Sequence, residues 1–556
     1  MALEKASRFY AALGILLCVT VVHAGTGIQL QKVGTDAAYF THNGQPLLSF
    51  GGMSDWVFYL NEDAHDYRQW ADWAAAHGMN HARAYPPLSY KMIEYVTAEN
   101  EGAVANALFP YEETSPGSRQ FDLTRFDAAY WTQFRNQLLY FQSKGIIVHL
   151  LMWNGWQLRA PDTTSGWKGE VNWPGHFFNP ANNVNAGTDH LGGALGNRYR
   201  LYHAVSENRT ALLNAQKAYF RKLIDETYDL DNVYYDLVHE MAEHYTDWTK
   251  TKRWIEAIAL DVRSHWATKT SKPIVLGMDS GGFDGFASWR AAPGEMPASG
   301  SPSEWLFSRS FFDILIYGKT HYATNAREWR KRYNKPYVPQ ETWDDNDARY
   351  VHPNPAQRVN KRKSFWKLMM AKCQQMDMYV GTGYCIVNFD PAGLCPSEDD
   401  ALKLRAFWNS LTDYPNLWFD GSVAAGPGSH KFVLSSGDEA VAYCSSATGV
   451  ENRNYSATTL DLRSLALADG SYTVDIWKPA SGKVSTTSAS VSGGATQITL
   501  PSFTDDIAAH IHSRTSQGGP IRIETESMTP ATYRVVLNGR YLRTETDSRR
   551  QRSPGK

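Results

Sequence analysis

Between about residue 45 and residue 390, short apolar runs alternate with stretches whose apolar positions recur at helical spacing. The runs fall at 47–51, 80–85, 146–152, 233–238, 274–278, 313–317, 336–340 and 379–386. Most are apolar throughout rather than alternating, as strands of a parallel sheet covered on both faces require. Tyr67, Trp70, Ala71 and Ala74 follow the i, i+3, i+4, i+7 pattern of a helix that stops at His77 and Gly78. Tyr130, Phe134, Leu138 and Phe141 form a second such stripe, which stops at Lys144 and Gly145. Glycine suits both ends, because it takes the positive φ of a helix terminus without a Cβ penalty. Strand–helix alternation repeated eight times predicts an α/β fold, a (β/α)8 TIM barrel with long loops. A doubly wound open sheet is the alternative; no Gly-rich phosphate loop follows the first run to support it.

Beyond about residue 420 the pattern changes. Runs at 432–435, 440–445, 471–477, 484–491, 496–500 and 507–512 are short, β-like and separated by Gly, Ser and Asp, which predicts a C-terminal β-sandwich. Residues 516–556 are too short to fold alone and read as a truncated module or a disordered tail with a basic end. At the other terminus, Lys5 and Arg8 precede an apolar run at 11–22, and His23 and Ala24 close it. That run is too short for a membrane span and reads as a cleaved signal peptide. The expected organisation is therefore a signal peptide at 1–24, a barrel at 25–415, a β-sandwich at 420–515 and the remainder at 516–556.

Composition narrows the partners. A formal net charge of -2 argues against nucleic acid, whose phosphates need a basic surface. Nineteen Trp in 556 residues offer indole faces for sugar rings, although indoles are also core material. Outside the signal, Cys373, Cys385, Cys395 and Cys444 permit two disulfides in an exported chain, with three pairings open, or four free thiols. Asn208 and Asn454 begin glycosylation acceptor patterns, which matter only in a eukaryotic source.

In a barrel of this kind, chemistry sits where strands end. The second run ends in Arg83, the third in Trp153 and Asn154, the fourth in His239 and Glu240, and the fifth near Asp279. His321 and Tyr322 follow the sixth, and Glu341 closes the seventh, with Trp343 just beyond. Glu240 and Glu341 thus face each other across the expected barrel mouth. Either alone reads as a structural carboxylate. As a pair they match glycosidic cleavage, in which one carboxylic acid protonates the departing oxygen and one carboxylate attacks the anomeric carbon or activates water. Repulsion keeps one of them protonated, and a cation such as Arg83 keeps the other ionised. Glu243 is an alternative acid; Glu240 is preferred because it directly ends the strand. His176 and His190 lack metal-ligand spacing, so no catalytic metal and no cofactor are expected. The cluster Asp344, Asp345 and Asp347 reads as a solvated loop.

Gly78-Met-Asn-His-Ala-Arg83, together with Glu240 and Glu341 at their strand ends, resembles the clan of retaining TIM-barrel glycoside hydrolases that includes cellulase- and mannanase-like families. The resemblance covers roughly residues 28–415. It implies Glu240 as acid/base and Glu341 as nucleophile, with Arg83 and the aromatic or His residues near the sixth strand supporting the nucleophile. Trp173-Pro-Gly-His176-Phe-Phe-Asn179, Phe109-Pro110 and Phe121-Asp-Leu are similar to one group within that clan. Members of that group often carry a C-terminal collagen-binding-type β-domain, and Gly470-Ser-Tyr-Thr-Val-Asp-Ile-Trp477-Lys-Pro-Ala-Ser-Gly482 resembles its central motif.

His239 stands where the clan has Asn, whose amide bonds the sugar 2-hydroxyl. The expected activity is a secreted retaining O-glycoside hydrolase acting on poly- or oligosaccharide. Arg83, Trp153, Asn154, His239, His321, Tyr322 and Trp343 are the expected substrate-binding residues. The alternative is a non-catalytic carbohydrate-binding protein on the same barrel. Serine and zinc peptidases lack their motifs here.

Overall fold

The computed structural model describes residues 27–33, 37–53, 67–101, 104–158, 173–185, 195–241, 247–281, 296–318, 323–340, 355–373, 375–378, 397–419, 423–447, 449–513, 522–524, 532–537 and 540–546. Among them, eight parallel strands organise the first three quarters of the chain: β1 (Ser49–Met53), β2 (His81–Ala84), β3 (Ile147–Leu151), β4 (Val233–Asp236), β5 (Leu276–Gly277), β6 (Leu315–Gly318), β7 (Tyr337–Gln340) and β8 (Gln375–Met378). One sheet runs β5-β4-β3-β2-β1-β8, and β6 pairs with β7. A parallel bridge from Asp279 to Ile316 carries β5 onto β6, and the Gln375 amide reaches the Pro339 carbonyl between β7 and β8. The strands therefore follow one another in a ring, with helices in the connections that include Tyr67–Ala76, Thr210–Thr227 and Trp248–Lys269.

Seven of the eight expected runs coincide with these strands; the eighth does not. β8 lies at Gln375–Met378, just before the apolar run at 379–386, which is outside the described residues. The reason is visible in its sequence. Gln-Met-Asp-Met alternates, so it lacks the mainly apolar pattern of a run such as β3, yet it pairs in register with β1.

Both expected helices form where the stripes place them. Tyr67, Trp70, Ala71 and Ala74 are buried on Tyr67–Ala76, and Gly78 follows at φ 73°. On Ala128–Ser143 the Asp127 carboxylate caps the first turn by accepting the Tyr130 amide at 2.9 Å.

An N-terminal hairpin, Ile28–Val33 with Ala37–His42, is masked in the sequence by Gln29, Gln31 and Lys32. Its Ile28 and Phe40, with Leu47, share a small core with Ile147, Tyr234, Val275, Ile314, Ile316 and Val338, at or beside the starts of β3 to β7. The hairpin thus stoppers the end of the ring opposite the strand C-termini.

The C-terminal residues form a six-stranded and a three-stranded antiparallel sheet with a common core that includes Val474, Ile476, Leu460, Ile498 and Ile511. The opposite face of the larger sheet joins the ring's own core through Tyr443, Trp477 and Ala508. Trp366 of the helix Pro355–Met370 stacks on Tyr443, centroids 5.5 Å apart, and Phe407 packs edge-on to Trp477. Beyond residue 516, Arg522–Glu524, Thr532–Leu537 and Arg540–Thr546 pair as a small antiparallel sheet. Residues 1–24 lie outside the described residues. Cys373 and Cys444 are free and buried, and burial pushes both thiols up to about 12. Cys385 and Cys395 lie outside the described residues.

Candidate functional site

The segment after β4 is held from both sides. The His239 amide donates to the Trp153 carbonyl at 2.9 Å, and the Gly155 amide donates to the His239 carbonyl at 2.8 Å, so pairing with the β3 side resumes beyond the strand ends. On the β5 side, the Leu237 amide donates to Gly277 at 2.9 Å. Here Asp279 enters: its Oδ2 accepts the Glu240 amide at 3.2 Å, its Oδ1 accepts the Gly281 amide at 2.8 Å, and its own amide donates to Asp236 Oδ1 at 3.0 Å.

Between these supports Glu240 takes a left-handed backbone, φ 48°. A non-glycine residue adopts that conformation only where its surroundings over-determine it. Gly155 is part of the reason. A Cβ there would come within 2.8 Å of the Glu240 carbonyl oxygen, so only glycine admits this turn.

Four ionisable side chains, those of Arg83, His239, Glu240 and Asp279, lie together at this end of the ring. Arg83, on β2, is wholly buried. His239 is 5% exposed; its Nδ1 lies 3.4 Å from Asp279 Oδ2 and its Nε2 lies 4.0 Å from Glu240 Oε1. The Glu240 side chain keeps 12% exposure, more than the side chains of His239 at 6% or Asp279 at 3%.

Burial opposes charge on His239, and so does Arg83. Pairing with Asp279, together with the negative charges of Glu240 and Asp279, outweighs both and lifts the imidazole to about 9. For Asp279, burial favours the neutral acid, but His239 and the Gly281 and Glu240 amides outweigh it, and the carboxyl is held low. Deeper in the ring the balance reverses. Burial, reinforced by Arg83, drives His81 down to about 3 and His149 well below its ordinary value, so both are neutral. His149 stacks on Tyr234 with centroids 4.6 Å apart.

The other expected residues divide. Asn154 is 3% exposed; its Oδ1 accepts the Trp156 amide at 3.0 Å, and its backbone bridges to His239. Trp153 is a correction: its indole is fully buried against Phe220, Trp254 and Tyr219, so it has no face left for a sugar. The cause is the direction of the chain past β3, which turns this side chain outward into the helix layer. Glu341 follows β7 directly and, like His321, Tyr322, Trp343 and Glu243, lies outside the described residues.

Sequence reasoning marks Asp279 only as a strand end and passes over Asp236. The rule that singles out the glutamates, an acidic residue at a strand terminus, would find both. Among the described residues, Asp475, His510 and His512 of the C-terminal sheet bring ligand-type atoms within 4.8 Å of one another. Lys483, 2.8 Å from Asp475, supplies a cation there.

No family model and no curated protein matches the chain. Solved structures do. One, described as a glycoside hydrolase, superposes with a TM-score of 0.53 at 12% identity, over 88% of this chain and 98% of that one. A glycoside hydrolase family 5 protein from Bacteroides vulgatus gives 0.52 at 12% identity, over 87% and 93%. Likeness at this identity is a likeness of α/β fold, and fold alone does not assign chemistry.

Proposed function

We propose that the chain is a secreted, retaining O-glycoside hydrolase built on a (β/α)8 barrel, with poly- or oligosaccharide as substrate. Glu341 attacks the anomeric carbon to give a glycosyl-enzyme. Glu240 protonates the departing oxygen and then deprotonates the incoming water. The observation that carries this reading is Glu240 itself, a largely buried carboxylate in a left-handed turn at the carboxyl end of β4, flanked by Arg83, His239 and Asp279. That end of the ring is where barrel enzymes keep their chemistry. The position of Glu341 immediately after β7 supports its role as the second carboxylate. Secretion rests on the signal-like segment 1–24, and the two C-terminal sheets with one core support a β-sandwich that packs on the barrel.

His239 favours a second reading, a carbohydrate-binding protein that retains the barrel without turnover, because it stands where the resembled clan has Asn. A panel of aryl glycosides and polysaccharides decides between them. Hydrolysis by the native chain, its loss in Glu341→Ala and azide rescue of Glu240→Ala on an activated aryl glycoside support the enzyme. Glycan binding with no cleavage supports the second reading.

A further inference from the structure

We propose that Asp279 is the positioning residue of this site: one carboxylate oxygen fixes the Glu240 backbone amide and also faces the His239 ring, so that Glu240 and a ring N–H are aimed as one unit. The proposal rests on the reading of Glu240 as the acid/base. It begins with geometry. Asp279 Oδ2 lies 3.2 Å from the Glu240 amide nitrogen and 3.4 Å from His239 Nδ1. Asp279 is itself immobilised, through the Gly281 amide on Oδ1 and through its own amide on Asp236. The left-handed turn at Glu240 is strained for a residue with a Cβ, and the Asp279 contact is one of the interactions that hold it.

The same contact decides the state of the ring. With Nδ1–H given to a carboxylate, a neutral ring would turn a bare Nε2 towards Glu240; it is the protonated ring, which the Asp279 carboxylate favours, that presents Nε2–H on the side of Glu240, 4.0 Å away. A donor is thereby supplied beside the acid by a ring and a carboxylate together, where a single amide would otherwise supply it. Among the described residues, the charged and titratable groups facing His239 are Arg83 from β2, His149 from β3, Glu240 from its own segment and Asp279 from the end of β5. Arg83 disfavours the imidazolium, while Glu240 and Asp279 favour it and prevail. A cation beside Glu240 stabilises its carboxylate and so lowers the pH at which the acid gives up its proton.

The substitution Asp279→Asn keeps the size and a carbonyl acceptor for the Glu240 amide but removes the charge. The full chain, labelled with 13C at histidine Cε1, is titrated as native protein and as Asp279→Asn, with His239→Asn identifying the resonance. The His239 signal is expected to titrate near 9 in the native chain and to drop by about 1–3 units in Asp279→Asn. In parallel, kcat/KM for 4-nitrophenyl β-cellobioside is followed against pH. The basic limb is expected to move up by about 1 unit in Asp279→Asn, and His239→Asn should move it in the same direction. An unmoved His239 resonance, or a loss of activity equal at every pH in both variants, overturns the proposal. If Glu240→Ala keeps native activity, the acid/base reading is what has failed; the resonance shift then still decides whether Asp279 sets the ring. Should Asp279→Asn not fold, the limb in His239→Asn decides: a shift upward supports the couple, and an unshifted limb overturns it.

Discussion

Arg362 grips both carboxylate oxygens of Asp506, Nε to Oδ2 at 3.1 Å and Nη2 to Oδ1 at 2.8 Å, across the boundary between the ring and the C-terminal sheet. The Tyr443 hydroxyl donates to the same carboxylate at 3.2 Å. Arg362 and Asp506 keep only 6% and 1% of their side-chain surface exposed. Removing one partner leaves a buried charge uncompensated, at a cost of about 3–5 kcal/mol. Chemical denaturation of Arg362→Ala is expected to show a loss of that order. Replacing both residues by apolar ones of similar volume is expected to cost less.

Gly155 makes room for the turn at Glu240. A methyl group added there would meet the Glu240 and His239 carbonyl oxygens at 2.8 and 3.0 Å, and backbone cannot swing aside as a flexible side chain can. Gly155→Ala is expected to lower kcat/KM at least about tenfold, since a displacement of about 1 Å at the chemistry can cost a hundredfold. Steady-state kinetics beside a melting curve separate this local effect from unfolding.

Stability should pass through a maximum in pH. His81, His149 and His176 are depressed in the folded state by burial. Below their ordinary pKa of 6.5 the unfolded chain takes up protons that the folded chain refuses, so stability falls with falling pH, by about 1.4 kcal/mol per unit for each group. His239 is raised to about 9, so its contribution is fully present below 6.5 and is lost as pH rises through 9. Denaturation between pH 4 and 10 is expected to show a shallower acid slope in His149→Gln and a shallower alkaline slope in His239→Asn.

Cys373 and Cys444 should be inert. Thiolate is the reactive form, and burial holds both thiols near 12. Alkylation of the native chain, read by peptide mass, is expected to leave both unmodified and to label both once the chain is unfolded. Labelling of either at native pH would contradict the buried, protonated state.

The strands legible in the sequence are those whose environment is simple. β3 and β4 are buried throughout and read as mainly apolar runs, broken only by His149 and Asp236, while β8 alternates and the N-terminal hairpin is half polar, so neither announces itself. Arg83, His239 and Glu240 can be placed because strand termini follow directly from the runs that precede them. Trp153 misleads for a related reason: a strand-end position fixes where a residue is and leaves open which way its side chain points. Asp279 escapes because its role comes from contact with residues 39 and 40 positions away, Glu240 and His239, and no local pattern encodes that.

The stopper at the base of the ring has a consequence for the order of assembly. Ile28 and Phe40 are synthesised before the surfaces they cover, which belong to Ile147, Tyr234, Val275, Ile314 and Val338, the last of them about 300 residues later (338 − 40 = 298). During synthesis the hairpin must wait with its apolar side unclaimed until the strands it seals have been made. Contacts of such long sequence separation form slowly. The hairpin is therefore made before the strands it seals and settles only after them, and until then its apolar side is open to whatever chaperone meets the nascent chain.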